Sequence, residues 1–327
     1  MSHTSASHTD PLSRRFKKII RAHGQESAVL LALALLIVFV GIVNPNFLSA
    51  TNLNNMIAGN AYIAVAAIGM SMVILLGHID VSVGALIGVL ASISGLLAVS
   101  GMPVWIAWGV PLLVGILINT GVGLLVAYAR IPAIVTTLGI ASILKGGLIS
   151  ATDGVWISNL PPDFLIAQFR FLGLPSPVWF MLALTTVTAL WMKYSATGRA
   201  IYAVGGNPEA ARTAGIRPER ITVFVFALHG FFAGIAAVLF GTQLQVIQST
   251  VPSGLELTII TASVIGGVSI LGGRGTVVGS TIAAIFFATV SSALVFLNIS
   301  AYWLRAVLGL LILATVLADA MRRRQLH

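Results

Sequence analysis

Apolar stretches long enough to cross a lipid bilayer recur along this chain, and no other feature constrains its fold as strongly. A helix rising 1.5 Å per residue needs about 20 apolar residues to traverse a hydrocarbon core roughly 30 Å thick. Ten such runs are read near 28–43, 57–76, 81–100, 104–129, 131–151, 178–192, 221–241, 258–272, 276–297 and 302–318. Only 8% of residues are charged and the mean hydropathy is +1.01. A water-soluble body of this size carries about 25% charged residues. The expected fold is an all-α polytopic membrane protein of about ten transmembrane helices in two five-helix halves. The first run is read as a retained anchor, because a polar tail precedes it and no small-residue cleavage site follows.

The cations test that count, since cytoplasmic loops hold the excess of Lys and Arg. With the N-terminus inside, Arg14, Arg15, Lys17, Lys18 and Arg21 are cytoplasmic, as are Arg130, Lys193, Arg199, Arg212, Arg217, Arg220, Arg274, Arg322, Arg323 and Arg324. That is fifteen of the 18 cations, leaving Lys145, Arg170 and Arg305. Both termini are therefore expected in the cytoplasm. Residues 1–27 and 321–327 read as basic tails, residues 28–320 as the transmembrane domain, 152–177 as a periplasmic loop and 193–220 as a cytoplasmic loop. The net charge of +9 is accounted for by topology, without a nucleic-acid partner. Two halves of five spans would make any repeat an inverted one. The Gly-rich stretches Gly77–Gly88 and Gly266–Gly279 are alike, but both fall at inner turns, which an inverted repeat would not produce, so the likeness reads as convergence on close helix packing through small residues.

The periplasmic loop carries Asp153, Trp156 and Asp163 among several prolines, which suits either an interfacial loop with aromatic anchors or a docking edge for an external protein. Glu256 is grouped with this edge as a docking candidate, and with Ser253 it also fits a capping box at the start of the eighth span. In the cytoplasmic loop, Asn207 can cap a helix, Pro208 suits the first helical position and Glu209 places negative charge at the positive end of the dipole. Ala210 and Ala211 favour helix, and Gly215 supplies a left-handed stop. The result is a two-turn helix outside the membrane, either a loop ornament or a segment that sits in a groove of another protein.

Asn207, Glu209, Ala210, Ala211 and Gly215 resemble the E-A-A-x-x-x-G coupling helix of ABC importer permeases. Three further stretches narrow the likeness. Gly77-His78-Ile79-Asp80-Val81-Ser82-Val83-Gly84 resembles the G-G-I-D-L-S-V-G signature of the ribose-type sugar branch of the branched-chain amino-acid/sugar permease family. Arg130–Gly139 resembles that branch's following span, and Gly266–Gly275 its G-G-x-S-x-x-G-G-x-G segment. His78 stands where the family usually has glycine. The resemblance covers roughly residues 28–320. It implies a bacterial inner-membrane permease subunit paired with a second, identical or related permease subunit, two ATP-binding subunits below and a periplasmic sugar-binding protein above. It implies a chain that does no chemistry and holds no cofactor, with ATP and Mg bound by the partner subunits. A branched-chain amino-acid permease is the nearest alternative.

The residues agree independently. No G-x-x-x-x-G-K-[ST] phosphate loop occurs, the six histidines are scattered, and with no cysteine there is neither a thiolate metal site nor a Cys nucleophile. An ion-coupled secondary transporter would need a buried charge relay, of which the spans give little sign, and a membrane-embedded enzyme would need a visible nucleophile and base. For the route of a sugar-like molecule, the polar candidates are Asn60, Tyr62, Asp80, Ser82, Asn119, Gln243 and Gln245, each of which could equally bond between helices. Asp80 could also cap the third span. Lys145 lies about 21 Å beyond Ile131 and is expected to snorkel to the outer interface.

Overall fold

The computed structural model describes residues 24–243, 246–249, 254–300 and 302–324. The first tail's cations, Gln245 and Ser253 lie outside the described residues. The long helices are α1 (Gly24–Val43), α2 (Ala50–Leu75), α3 (Val83–Val99), α4 (Val104–Ala127), α5 (Ala133–Thr152) and α6 (Ser176–Tyr194). Two short helices, α7 (Ala196–Gly206) and α8 (Pro208–Thr213), precede α9 (Pro218–Gly241), α10 (Leu255–Ile265), α11 (Val277–Phe296) and α12 (Trp303–Arg324). Each of the ten apolar runs carries one helix. Among the described residues, six helices are long and apolar enough to cross a membrane: α1, α2, α4, α5, α9 and α11.

Two runs give less helix than their length suggests. At 1.5 Å per residue, the 17 residues of α3 and the 11 of α10 span about 26 and 17 Å, short of a bilayer core. α10 ends early because Gly267, Gly272, Gly273 and Gly275 all take positive φ, which a continuing helix forbids. α3 starts only at Val83 because Gly77 also turns with positive φ and residues 78–80 are non-helical. The short helices lie in the third and eighth of the ten apolar runs.

α2 is the axis of the molecule. Its second half is small and apolar all round, so it is buried on every side, from Ile63 to Leu75. α6, α9, α10 and α11 pack around it. α1 lies outside against α11, with Thr276 Oγ1 donating to Glu26. α4 and α9 make the most extensive pairing, through glycines that let two backbones touch. A Cβ on Gly230 would stand 2.1 Å from the Gly115 carbonyl oxygen, and one on Gly115 2.4 Å from that of Gly230. Gly230→Ala should therefore push the helices apart at a cost of about 1–3 kcal/mol. A lower thermal midpoint of the purified protein checks this, and an unchanged one would mean that the backbones are not in contact. α5 is peripheral, resting on α3 and α4 alone among the more extensive helix pairings.

The loop between α5 and α6 folds as a crest of two 3-10 turns and a two-stranded hairpin, β1 (Arg170–Phe171) and β2 (Leu174–Pro175). An isolated bridge between Ile157 and Ile247 ties it to the segment that follows α9.

Candidate functional site

The segment joining α6 to α9 is more ordered than the sequence reading allows. α8 has the expected cap: Asn207 Oδ1 accepts from the amides of Glu209 and Ala210, both at 3.0 Å. Gly215 takes φ +84°, and the Ile216 amide closes on the Ala211 carbonyl at 3.0 Å. Glu209, Ala210 and Arg212 are exposed, while Ala211 is buried against the body. Arg212 Nη2 lies 2.5 Å from Glu219 Oε1 in the first turn of α9. Arg212 is exposed and Glu219 partly so, and the pair orients α8 more than it stabilises it.

α7 was not anticipated. Its signals are Ser195, whose Oγ accepts from the Gly198 amide at 2.8 Å, and the apolar spacing of Ile201 and Val204. Through α7 the exposed helix reaches the membrane body. A Cβ on Gly205 would stand 1.7 Å from the Leu75 carbonyl oxygen at the end of α2, and the Gly273 amide donates to that same oxygen at 2.8 Å. Tyr202 Oη donates to the Gly275 carbonyl at 2.9 Å. Burial, and then the charge of Glu26, push its phenol above the ordinary value, so it stays a donor. The two Gly-rich stretches thus meet, with the end of α7 wedged beside them.

The ionisable residues of the spans also make contacts that spacing alone does not reveal. Asp80 is fully buried, with Oδ1 accepting from the Ser82 amide at 2.7 Å and from Ser82 Oγ at 2.5 Å. Its Oδ2 is 3.4 Å from Nε2 of His229, also fully buried, halfway along α9. That separation is too long for a well-formed hydrogen bond but within reach of an ion pair. The His229 ring is seated where α2 has Gly69, at which a Cβ would come within 2.6 Å of Nδ1. The Val81 amide donates to Thr137 of α5 at 3.1 Å, completing the turn that starts α3. Among the described residues, the interior thus holds one fully buried carboxylate–imidazole contact.

Lys145, with its side chain 45% exposed, places Nζ 3.9 Å from Glu256 Oε1. Glu256 does not join the outer crest. Its side chain is 14% exposed, whereas Asp153, Trp156 and Asp163 are exposed. Gly84 makes its seat, since a Cβ there would stand 2.5 Å from Glu256 Oε2.

The remaining route candidates divide. Asn119 is fully buried at the α4–α9 crossing, beside Gly230. Asn60 Nδ2 bonds back to the Met56 carbonyl at 2.9 Å, and Tyr62 packs on Phe240 with ring centroids 5.0 Å apart. Gln243 Nε2 donates to the Ala58 and Gly59 carbonyls, both at 3.2 Å. It borders a cavity of about 330 Å³ beneath the crest, lined also by Asn55, Gly59, Gln168, Arg170 and Pro177.

Over this architecture, the family model of the branched-chain amino acid transport system / permease component matches residues 52–316. The chain belongs to that family. Permease protein LsrC of the autoinducer 2 import system of Salmonella typhi is 36% identical over 302 residues, 92% of this chain and 87% of that protein. The protein of the same name from Escherichia coli (strain K12 / DH10B) is 35% identical, over 92% of this chain and 88% of its own length. The permease is a multi-pass protein of the inner membrane, and its membership agrees with the resemblance drawn from the four motifs.

Proposed function

We propose that this permease is the membrane-spanning subunit of an ATP-driven importer for a sugar or sugar-like molecule delivered by a periplasmic binding protein. The likeness across 92% of the chain to permeases named for autoinducer 2 import carries the reading and makes autoinducer 2 the first cargo to test. The ten helices of residues 28–320 cross the membrane with both basic tails inside, residues 152–177 outside and residues 193–220 inside. Two permease subunits, identical or related, stand side by side over two ATP-binding subunits that hold ATP and Mg. This chain performs no chemistry.

Asn207, Glu209, Ala210, Ala211 and Gly215 form the coupling helix. Closure of the ATP-binding subunits pushes α8, and α7 passes the displacement to the end of α2 and to the Gly272–Gly273 turn as a packed rigid body. Arg212 and Glu219 tie the same movement to α9, and His229 and Asp80 carry it to the start of α3. Asp153, Trp156 and Asp163 form the docking edge. The cavity near Asn60, Tyr62 and Gln243 receives the released cargo, which then passes Ser82 in the interior.

Reconstitution with the ATP-binding subunits and the binding protein tests this. Autoinducer 2-loaded binding protein is expected to stimulate ATP hydrolysis and uptake, with D-ribose as the second cargo. Glu209→Arg reverses a charge in the docking helix and should lower both by about tenfold or more, with the permease still folded. If stimulation and transport stay intact, the coupling assignment fails. The Asp80–His229 pair favours one other reading, an ion-coupled carrier. Uptake that survived vanadate and collapsed with an uncoupler would decide for it.

A further inference from the structure

α5 exposes a stripe at Val135, Leu138, Ser142, Lys145 and Ile149, spaced three and four residues apart on one face. Gly139 and Gly146 beside it have open space where a side chain would stand. Lys145 lies twelve residues along a 20-residue helix, about 18 Å from one end and 10 Å from the other. Its side chain leaves the helix leaning toward the N-terminal end, away from the nearer end. A charge at this depth is costly against lipid, so the stripe meets water or protein.

Beside Lys145, the two short helices begin together. Glu256 stands in the first turn of α10 and is seated on Gly84 in the first turn of α3. Its carboxylate thus lies at the positive ends of two helices. Among the described residues, Oε2 is buried without a hydrogen-bond partner, and Oε1 is 3.9 Å from Lys145 Nζ, beyond hydrogen-bonding distance. Short, interrupted helices in corresponding places of two halves mark the binding site in transporters built from repeats.

We infer that Lys145 and Glu256, where α3 and α10 begin, form a binding step for a neutral polyhydroxylated compound on the route through the membrane. The inference rests on the importer reading. The ammonium offers donors and the carboxylate offers acceptors, and a hydroxyl group, which does both, fits between them. Because the pair has no net charge, it holds neither an anion nor a cation strongly. The 3.9 Å gap leaves it open to a hydroxyl rather than closed on itself. Gly84 gives the carboxylate the room it occupies at the turn.

The chain has no cysteine, so a single introduced thiol reports on its own position. In the assembled transporter, Ser142→Cys is expected to react with a water-soluble, membrane-impermeant methanethiosulfonate, and Leu35→Cys on the lipid side of α1 is not. Glu256→Gln and Lys145→Met should each lower uptake of autoinducer 2 or D-ribose by about tenfold, the size of one lost charged hydrogen bond to cargo. ATP hydrolysis stimulated by the binding protein should persist, because neither residue touches the coupling helix. The reciprocal Lys145→Glu, Glu256→Lys permease should recover part of the uptake. An unreactive Ser142→Cys, or a Glu256→Gln transporter within twofold of the unmodified one, overturns the inference. If neither cargo is carried by the unmodified transporter, the cargo reading fails, and the labelling pattern still decides whether this stripe lines a watered route.

Discussion

Gly205→Ala is expected to give a permease with a sharply lowered unfolding temperature and no stimulated ATP hydrolysis, while Gly206→Ala, one residue on, should behave as the unmodified protein. A Cβ at Gly205 would lie 1.7 Å from the Leu75 carbonyl oxygen and 2.9 Å from the Gly273 amide nitrogen. All the nearest atoms are backbone, so no side chain can swing aside. The methyl has to separate α7 from α2, at the upper end of the 1–3 kcal/mol that overpacking costs. Gly206 has nothing within 4 Å of the same position, so its substitution should stay within about 0.5 kcal/mol. Thermal unfolding of both variants, beside ATP hydrolysis by the reconstituted complex, separates a structural wedge from a general intolerance of this helix end. Equal midpoints for the two variants would sink the assignment of Gly205 as the point where α7 meets the membrane body.

Asp80→Ala should be the most damaging single change at depth. It removes the acceptor for the Ser82 amide and hydroxyl, and it leaves the fully buried His229 imidazole without the oxygen 3.4 Å away. Removing one member of a buried pair costs about 3–5 kcal/mol, because the other stays desolvated and uncompensated. Asp80→Asn keeps an oxygen for the Ser82 amide and should fall between Asp80→Ala and the unmodified chain. The same ranking is expected in the unfolding midpoint and in uptake. If Asp80→Ala unfolds at the unmodified temperature, the pair does not hold α3 to α9.

Much of the scaffold is legible in the sequence because bilayer thickness is a ruler. An apolar run of the right length leaves few alternatives, and every run does carry a helix. The small helix Pro208–Thr213 is legible for a different reason. Its start and stop are chemical signals of the residues themselves, Asn207 before Pro208 and Gly215 after. What the sequence hides is convergence between distant segments. Nothing local to Gly84 announces that Glu256 will sit on it, and nothing near Asp80 indicates His229, since each contact joins helices far apart in the sequence. Reading Glu256 as an outer docking residue assumed that its apolar run is one complete span. The left-handed glycines of residues 267–275 end α10 after eleven residues, and its first turn meets the first turn of α3 at Gly84. α7 escaped notice because it is eleven residues long, with only the Ser195 cap and the spacing of Ile201 and Val204 to mark it.

The burial of α2 also has a consequence for how the chain is made. The four helices that enclose it, α6, α9, α10 and α11, all follow it in sequence. A ribosome releases them long after α2 has entered the bilayer, so the future axis waits among lipids with its alanines and glycines unmatched. Assembly is then completed from the C-terminal half inward, and a chain cut short before α9 would expose to quality control the very surface that the finished molecule conceals.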